Sequence, residues 1–154
     1  MLEREQRLDR PPEEVFPFFA EAKNLERITP EFLRFKVLSQ VPERMGPGTL
    51  IRYRLRLRGV PIRWLTRIEQ WQSGRRFVDM QLKGPYRYWH HTHDFEPDSG
   101  GTLMRDTVRY AMRAGPIGEL VHGPLVAPDL AKIFDYRIAR IEALFGGRGL
   151  SPDG

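Results

Sequence analysis

Three of the four histidines in this 154-residue chain fall within one short run, "YRYWHHTHDFEP", from Tyr86 to Pro97. The run reads as a β-strand, in which successive side chains point to opposite faces. Trp89, His91, His93 and Phe95 then share one face, and Tyr88, His90, Thr92 and Asp94 share the other. The large rings mark the first face as the buried one. Two imidazoles on a buried face can do three kinds of work. One of them, oriented by a carboxylate, can act as a general acid or base. The two together, at i and i+2, can ligate a metal ion. Or both can be satisfied core groups, hydrogen-bonded and inert.

Which carboxylates face them depends on strand register, and turn lengths specify register in a hairpin. Strand-like runs "LIRYRLRLR", "IRWLTRIEQW", "RFVDMQL", "YRYWHHTHDFE" and "TLMRDTVRYAM" are separated by turn-like stretches. The turns are Gly59-Val60, Ser73-Gly74, Lys83-Gly84-Pro85 and Asp98 to Gly101. Closing the first as a simple hairpin pairs Leu57 with Ile62, Leu55 with Trp64, Tyr53 with Thr66 and Ile51 with Ile68. The second pairs Gln70 with Phe77, Ile68 with Asp79 and Thr66 with Gln81. The third pairs Asp79 with Trp89 and Phe77 with His91. The fourth pairs Phe95 with Met104, His93 with Asp106, His91 with Val108 and Trp89 with Tyr110.

Directly paired residues share a face. One inner face therefore collects Tyr53, Leu55, Trp64, Thr66, Ile68, Phe77, Asp79 and Gln81. From the last two strands it adds Trp89, His91, His93, Met104, Asp106, Val108 and Tyr110. Hydrophobicity alone would bury Val78, Met80 and Leu82 in place of Phe77, Asp79 and Gln81. The two flanking hairpins agree on the second set.

A mostly apolar face with a few polar groups is the composition of a small-molecule pocket. The candidate ligand-binding residues are Tyr53, Trp64, Thr66, Phe77, Asp79, Gln81, Trp89, His91, His93, Val108 and Tyr110, with Phe134 and Arg137 from a C-terminal helix. His93 opposite Asp106 is the candidate catalytic pair, because a carboxylate fixes the imidazole tautomer and raises its basicity. His91, Tyr110 or Arg137 could donate to a developing oxyanion. A structural His93–Asp106 bond, with His91 on a carbonyl, explains the same residues equally well. For a metal, Asp106 would join His91 and His93, but Trp89 and Phe95 crowd that row. No metal and no cofactor are expected. No serine, cysteine or phosphate-cradling motif stands out, and "GPGT" at Gly46 to Thr49 reads as a turn.

The remaining elements frame this sheet. An N-terminal strand, about Leu2 to Leu8, ends at Pro11-Pro12. The prolines open a helix with Glu13 and Glu14 in its first turn. "NLERITP" reads as a second short helix and "FLRFKVL" as a strand. "DLAKIFDYRIARIEALF" places Leu130, Ile133, Phe134, Arg137, Ile138, Ile141 and Leu144 at helical spacing. Pro124 and Pro128 should break or kink the chain ahead of it. Helices grouped on one face of an antiparallel sheet make an α+β fold. Residues 1–146 read as one domain, and 147–154, rich in Gly, Ser and Pro, as a flexible tail.

Arg52, Arg54, Arg56 and Arg58 alternate with apolar residues and face outward, with Arg63 and Arg67 opposite Arg56 and Arg52. Like charges opposite one another cost stability, and the row reads as a solvated face. Leu65, Trp71, Val78, Met80 and Tyr88 also fall outward, which suits a homodimer or another partner contact.

The net charge is +5, and only four of the 25 basic residues are lysines. No nucleic-acid motif accompanies this charge, so no specific nucleic-acid partner is expected. The absence of cysteine excludes disulfides and thiolate metal sites, and fits a cytoplasmic protein. No apolar run is long enough for a membrane-spanning helix.

Several of these pieces together resemble one family. They are "PPEEVFPFFAEAKNLERITPEFLRF", "GTLIRYRLRLRGVPIRWLTRIEQW", "FVDMQLKGPYRYWHHTHDFEP", "GTLMRDTVRY" and "IFDYR". In order, across nearly the whole chain, they look like the START-like (SRPBCC) superfamily in its polyketide cyclase/dehydrase-type branch. The resemblance implies the helix-grip fold: a curved, seven-stranded antiparallel sheet around a long C-terminal helix, with two short helices after strand 1. It also implies an apolar cavity for a lipid-like or polyketide-like molecule. Some members bind such ligands, and others catalyse ring closure or dehydration.

Overall fold

The computed structural model describes residues 1–38, 44–57, 59–111 and 126–150. Strand β1 (Leu2–Leu8) leads into helix α1 (Pro12–Ala20) and two short 3-10 turns, Ala22–Arg27 and Glu31–Leu33. Strands β2 (Lys36–Val37), β3 (Leu50–Leu57), β4 (Val60–Gln72), β5 (Arg76–Lys83), β6 (Tyr88–Asp98) and β7 (Gly101–Ala111) follow. Helix α2 (Val126–Phe145) and a short strand β8 (Arg148–Leu150) complete the described chain. The strands form one antiparallel sheet in the order β2-β3-β4-β5-β6-β7-β1-β8.

This is the expected helix-grip α+β fold. All seven expected strands are present, though β2 is only two residues long, and β8 is an addition. β8 pairs with β1 through Glu5↔Leu150 to Arg7↔Arg148. The stretch read as a flexible tail therefore contributes 148–150 to the sheet edge, where β1 offers unpaired backbone groups. Residues 151–154, Pro124 and Arg58 lie outside the described residues. Pro128 neither breaks nor precedes α2. It sits in the first turn, where a missing N–H leaves no bond unmade.

The turn-based registers meet the structure in three different ways. Around the last hairpin they are reproduced pair for pair, including His93↔Asp106 and His91↔Val108. The β3/β4 and β5/β6 registers are each offset by two residues, in opposite directions. Tyr53 meets Trp64 and Ile51 meets Thr66, while Phe77 meets His93 and Asp79 meets His91. A slip of two keeps every side chain on its face, so the inner face survives.

The β4/β5 pair keeps Ile68↔Asp79 and Thr66↔Gln81 but carries a bulge between Ile68 and Gln70. Beyond it the pairing is Trp71↔Phe77 where Gln70 and Phe77 were expected. A bulge inverts the facing of the residues beyond it. Trp71, expected outward, therefore turns in and packs edge-on against Phe16 at 5.1 Å. Val78 was also expected outward and is buried. Tyr88 is exposed, and Leu65 and Met80 are partly buried.

The arginine row is exposed at Arg52, Arg54 and Arg56, but its opposites differ from those expected. Arg63 faces Arg54, and Lys36 faces Arg54 from the other side, so three cations cross three strands. Arg67 faces Leu50 and pairs with Glu69 at 2.5 Å. Water and salt screen such exposed like charges.

Helix α2 lies across the inner face, and its apolar stripe sets the core. Ile141 joins Leu8, Val15, Phe16, Phe19, Phe95 and Met104 in a closed base. One helical turn and more towards the N-terminus, Leu130 and Phe134 pack with Tyr86, Trp89 and Val108. Buried Gln6 on β1 ties sheet to helix, its Nε2 donating to the Ile138 carbonyl at 3.3 Å.

The β6/β7 turn sets the register of the site and is glycine-dependent at two points for different reasons. Ser99 and Gly100 have φ of 49° and 84°, the left-handed pair of a tight hairpin turn. Gly101 instead has no room, because a Cβ there would press into the Leu8 carbonyl oxygen. Gly101→Ala is expected to cost about 1–3 kcal/mol through overpacking against backbone. Gly100→Ala, with open space around it, should cost only the left-handed penalty of about 1–2 kcal/mol. Urea unfolding of both variants checks the order, and a neutral Gly101→Ala would contradict the packing described.

Candidate ligand cavity and its histidine–aspartate cluster

The inner face of β3 to β6 does not close fully against α2. A cavity of about 170 Å³ remains between them, bounded on its third side by α1 and the 3-10 turns. Its size is comparable to an engineered apolar cavity of about 150 Å³ that admits benzene. It therefore suits a ring or a short chain, and anything longer must extend through the mouth.

Ten of the expected ligand-binding residues line this cavity: Tyr53, Trp64, Thr66, Phe77, Asp79, Trp89, His91, His93, Phe134 and Arg137. Three others do not. Gln81 spends its amide on Tyr86, donating from Nε2 to the backbone carbonyl at 2.8 Å and accepting from the N–H at 3.2 Å. Val108 is fully buried behind Trp89 and Phe134, and Tyr110 packs edge-on against Tyr86. These residues share the inner face, but packing filled their part of it.

Some lining residues were missed. Tyr86 belongs to the β5/β6 connection yet is buried, 4.8 Å from the Trp89 ring. Phe19, Leu25 and Leu33 come from the helical pieces after β1. Strand register carries no information about either group. The only available signal was apolar residues in short helical and loop segments.

On the inner wall, two carboxylates and two imidazoles form a closed cluster across three strands. Asp79 comes from β5, His91 and His93 from β6 and Asp106 from β7. The expected neighbours are in place, but the hydrogen bonds run diagonally. His91 Nε2 meets Asp106 Oδ1 at 2.8 Å, and His93 Nε2 meets Asp79 Oδ2 at 2.7 Å. His93 Nδ1 also lies 3.1 Å from Asp106 Oδ1, off the hydrogen-bond direction, so that approach is charge attraction without a formed bond. The expected His93–Asp106 bond and the expected His91–carbonyl bond are thus both replaced. The rings are closely packed: the imidazoles lie 3.6 Å apart at a 32° tilt, and Phe77 stacks flat on His93 at 3.9 Å. In this packing each Nε2 reaches the carboxylate one pair along the ladder.

The same bonds bear on metal binding. Ligand atoms of Asp79, His91 and His93 lie within 4.8 Å of one another. Both Nε2 atoms are, however, already engaged by carboxylates. An ion ligated there through Nε2 would have to displace those hydrogen bonds.

Burial and pairing set the charges. Burial alone would raise both carboxyl pKa values. Hydrogen bonds and charge from the histidines outweigh it and hold Asp79 and Asp106 below the usual carboxylate range. Burial and the neighbouring His93 push His91 down to about 4, against the pull of Asp106 and Asp79. For His93 burial also works downward, but its close approach to Asp106 and its bond to Asp79 prevail and its pKa is raised. Of the two imidazoles, His93, between two carboxylates, is therefore the one that more readily carries charge. Burial, reinforced by Asp79, raises Tyr53 and keeps its phenol neutral.

A pH profile follows from these directions. Neutral His91 contributes stability that is complete above about pH 6.5 and lost as pH falls towards its folded value. Charged His93 contributes stability that is complete below about pH 6.5 and lost as pH rises through its raised folded value. The two carboxylates add a further loss below about pH 4. Chemical unfolding across pH is expected to show a maximum near pH 6.5, and His93→Gln should lose the alkaline limb. Identical profiles for the two proteins would contradict the raised pKa of His93.

The comparisons with known proteins agree with this geometry. A comparison with curated protein sequences finds no match. Among solved structures, protein TTHA0849 from Thermus thermophilus is similar at 25% identity and a TM-score of 0.67, over 92% of this chain and 94% of that one. Protein CV1439 from Chromobacterium violaceum matches at 17% identity and a TM-score of 0.71, over 94% and 96%. The Zhui aromatase/cyclase from Streptomyces sp. R1128 matches at 18% identity and a TM-score of 0.60, over 92% and 86%. The last two show the shared fold. The family model described as "Polyketide cyclase / dehydrase and lipid transport" matches residues 2–146, and the chain belongs to that family.

Proposed function

We propose that this protein binds a hydrophobic or amphipathic small molecule, polyketide-like or lipid-like, in the cavity between sheet and α2. The observation that carries this reading is the unfilled space of about 170 Å³ itself, walled by aromatic rings and backed by a charged cluster. Protein interiors are otherwise close-packed, and a void of this size costs stability. A ligand that fills it regains the lost contacts. The size favours a ring system, or the end of a chain, over a whole lipid.

The absence of cysteine supports a cytoplasmic setting. No described helix is long and apolar enough to cross a membrane. The exposed cations support only weak, salt-sensitive contact with nucleic acid.

Trp64 and Trp89 both line the cavity, their rings 5.2 Å apart and nearly perpendicular. Titration with naphthalene-sized aromatic compounds and short fatty acids is expected to change tryptophan fluorescence saturably. A flat response over such a panel from folded protein would sink the binding reading.

A second reading, a cyclase or dehydrase, is favoured by one observation: His93 reaches the cavity and is held between Asp79 and Asp106. With its pKa raised, His93 when protonated can deliver a proton to a substrate oxygen, and the carboxylates stabilise its charged form. His91, neutral but with a depressed pKa, is the weaker base. Asp106→Asn separates the readings. In a binding protein it should lower stability by about 1–3 kcal/mol and change affinity modestly. In an enzyme, turnover of an aromatisable polyketide analogue should collapse while binding persists. Equal turnover by wild type and variant would discard the catalytic role.

A further inference from the structure

Arg137 breaks the apolar stripe of α2 and sends a guanidinium to the cavity wall. Its Nε and Nη1 are buried and have no hydrogen-bond partner among the described residues. The Phe134 ring lies under the guanidinium at 5.3 Å, which holds it in place without satisfying its donors. Its charge acts on Asp79 and Tyr53 across the cavity, yet no described carboxylate pairs with it.

Buried donors left unmet are costly, and such an exception calls for an explanation, one being a partner that arrives later. The partner must accept hydrogen bonds from a guanidinium, and a carboxylate matches that geometry best. The rest of the lining narrows the choice. Trp64, Trp89 and Phe134 surround the space with ring faces, and its size suits one or two fused rings. Asp79 and Asp106 flank His93 at 2.7 and 3.1 Å, so any charge on that imidazole is already met within the cluster. A second anionic group would have nothing to meet.

We infer that the ligand is an aromatic monocarboxylate, its carboxylate on Arg137 and its rings between α2 and the two cavity tryptophans. This rests on the binding function proposed above and names its ligand class. The roles are separable: the rings and the void supply affinity for any flat apolar molecule, and Arg137 supplies the choice of an anion.

The test compares 2-naphthoate with 2-naphthalenemethanol, equal in rings and differing in charge, by calorimetric titration. Wild type, Arg137→Met and Arg137→Lys are the proteins. Wild type is expected to bind naphthoate at least tenfold more tightly than the alcohol. Arg137→Met keeps an apolar stem, so it should lose naphthoate affinity by tenfold or more and hold the alcohol as well as wild type. Arg137→Lys should fall between. The melting temperature of unliganded Arg137→Met should be unchanged or higher, since two unmet buried donors are removed.

A wild type that binds both compounds equally would overturn the carboxylate assignment and leave the pocket standing. So would equal loss of both in Arg137→Met, or a marked drop in its melting temperature, which would make Arg137 structural. Failure of wild type to bind either compound would overturn the assignment. If the fluorescence panel were also flat, the pocket reading would fall with it.

Discussion

The structure turns on the buried square of Asp79, His91, His93 and Asp106. Four ionisable groups from β5, β6 and β7 meet on the inner face, three buried and Asp79 partly so, and each is tolerable only because of the others. Taking one partner from such a buried arrangement costs about 3–5 kcal/mol, a large share of a domain's total stability. The square therefore constrains the sheet. A slip of one residue in either hairpin would send a carboxylate to solvent and strand the imidazoles. The Gly101 approach to β1, the tight Ser99-Gly100 turn and the Phe77 stack all serve that single register.

From this square the interior divides in two. Towards the base, Phe16 packs edge-on against Phe95 and Trp71, both at 5.1 Å, and Ile141 of α2 closes the layer. Towards the other end the same helix meets Trp89, Tyr86 and Val108 but leaves space over β3 and β4. The closed half supplies the burial that lets the open half stay open. A void and an unpaired guanidinium each lower stability, and a protein keeps local violations of this kind where it has a function. The Polyketide cyclase / dehydrase and lipid transport family fits that division of labour.

Much of the fold was legible because its signals are local. Period-two alternation in "LIRYRLRLR" and "YRYWHHTHDFE" assigns faces without knowledge of any partner. Helical spacing in "DLAKIFDYRIARIEALF" assigns the helix face. Turn residues assigned hairpin registers closely enough that the errors were even, and even errors preserve faces. That is why Asp79, His91, His93 and Asp106 could be placed together, and why Phe77 was chosen correctly over Val78 as the inner residue. The β4 bulge was not legible. It has no sequence marker, and it turned Trp71 from an outer contact into a core ring.

What the sequence by itself determined, then, is which side chains share the inner face, because alternation and turn length are properties of neighbouring residues. Tertiary structure decided how those side chains use that face. The hydrogen bonds run diagonally in the close packing of the two imidazoles, and not to the residues straight across. Gln81, Val108 and Tyr110 left the cavity because the Tyr86 connection and α2 filled their space. β8 joined the sheet because β1 had an open edge. Arg137 Nε and Nη1 stayed without a hydrogen bond because no described acceptor reaches them. Each of these outcomes depends on distances between segments far apart in the chain, and no local pattern encodes such distances.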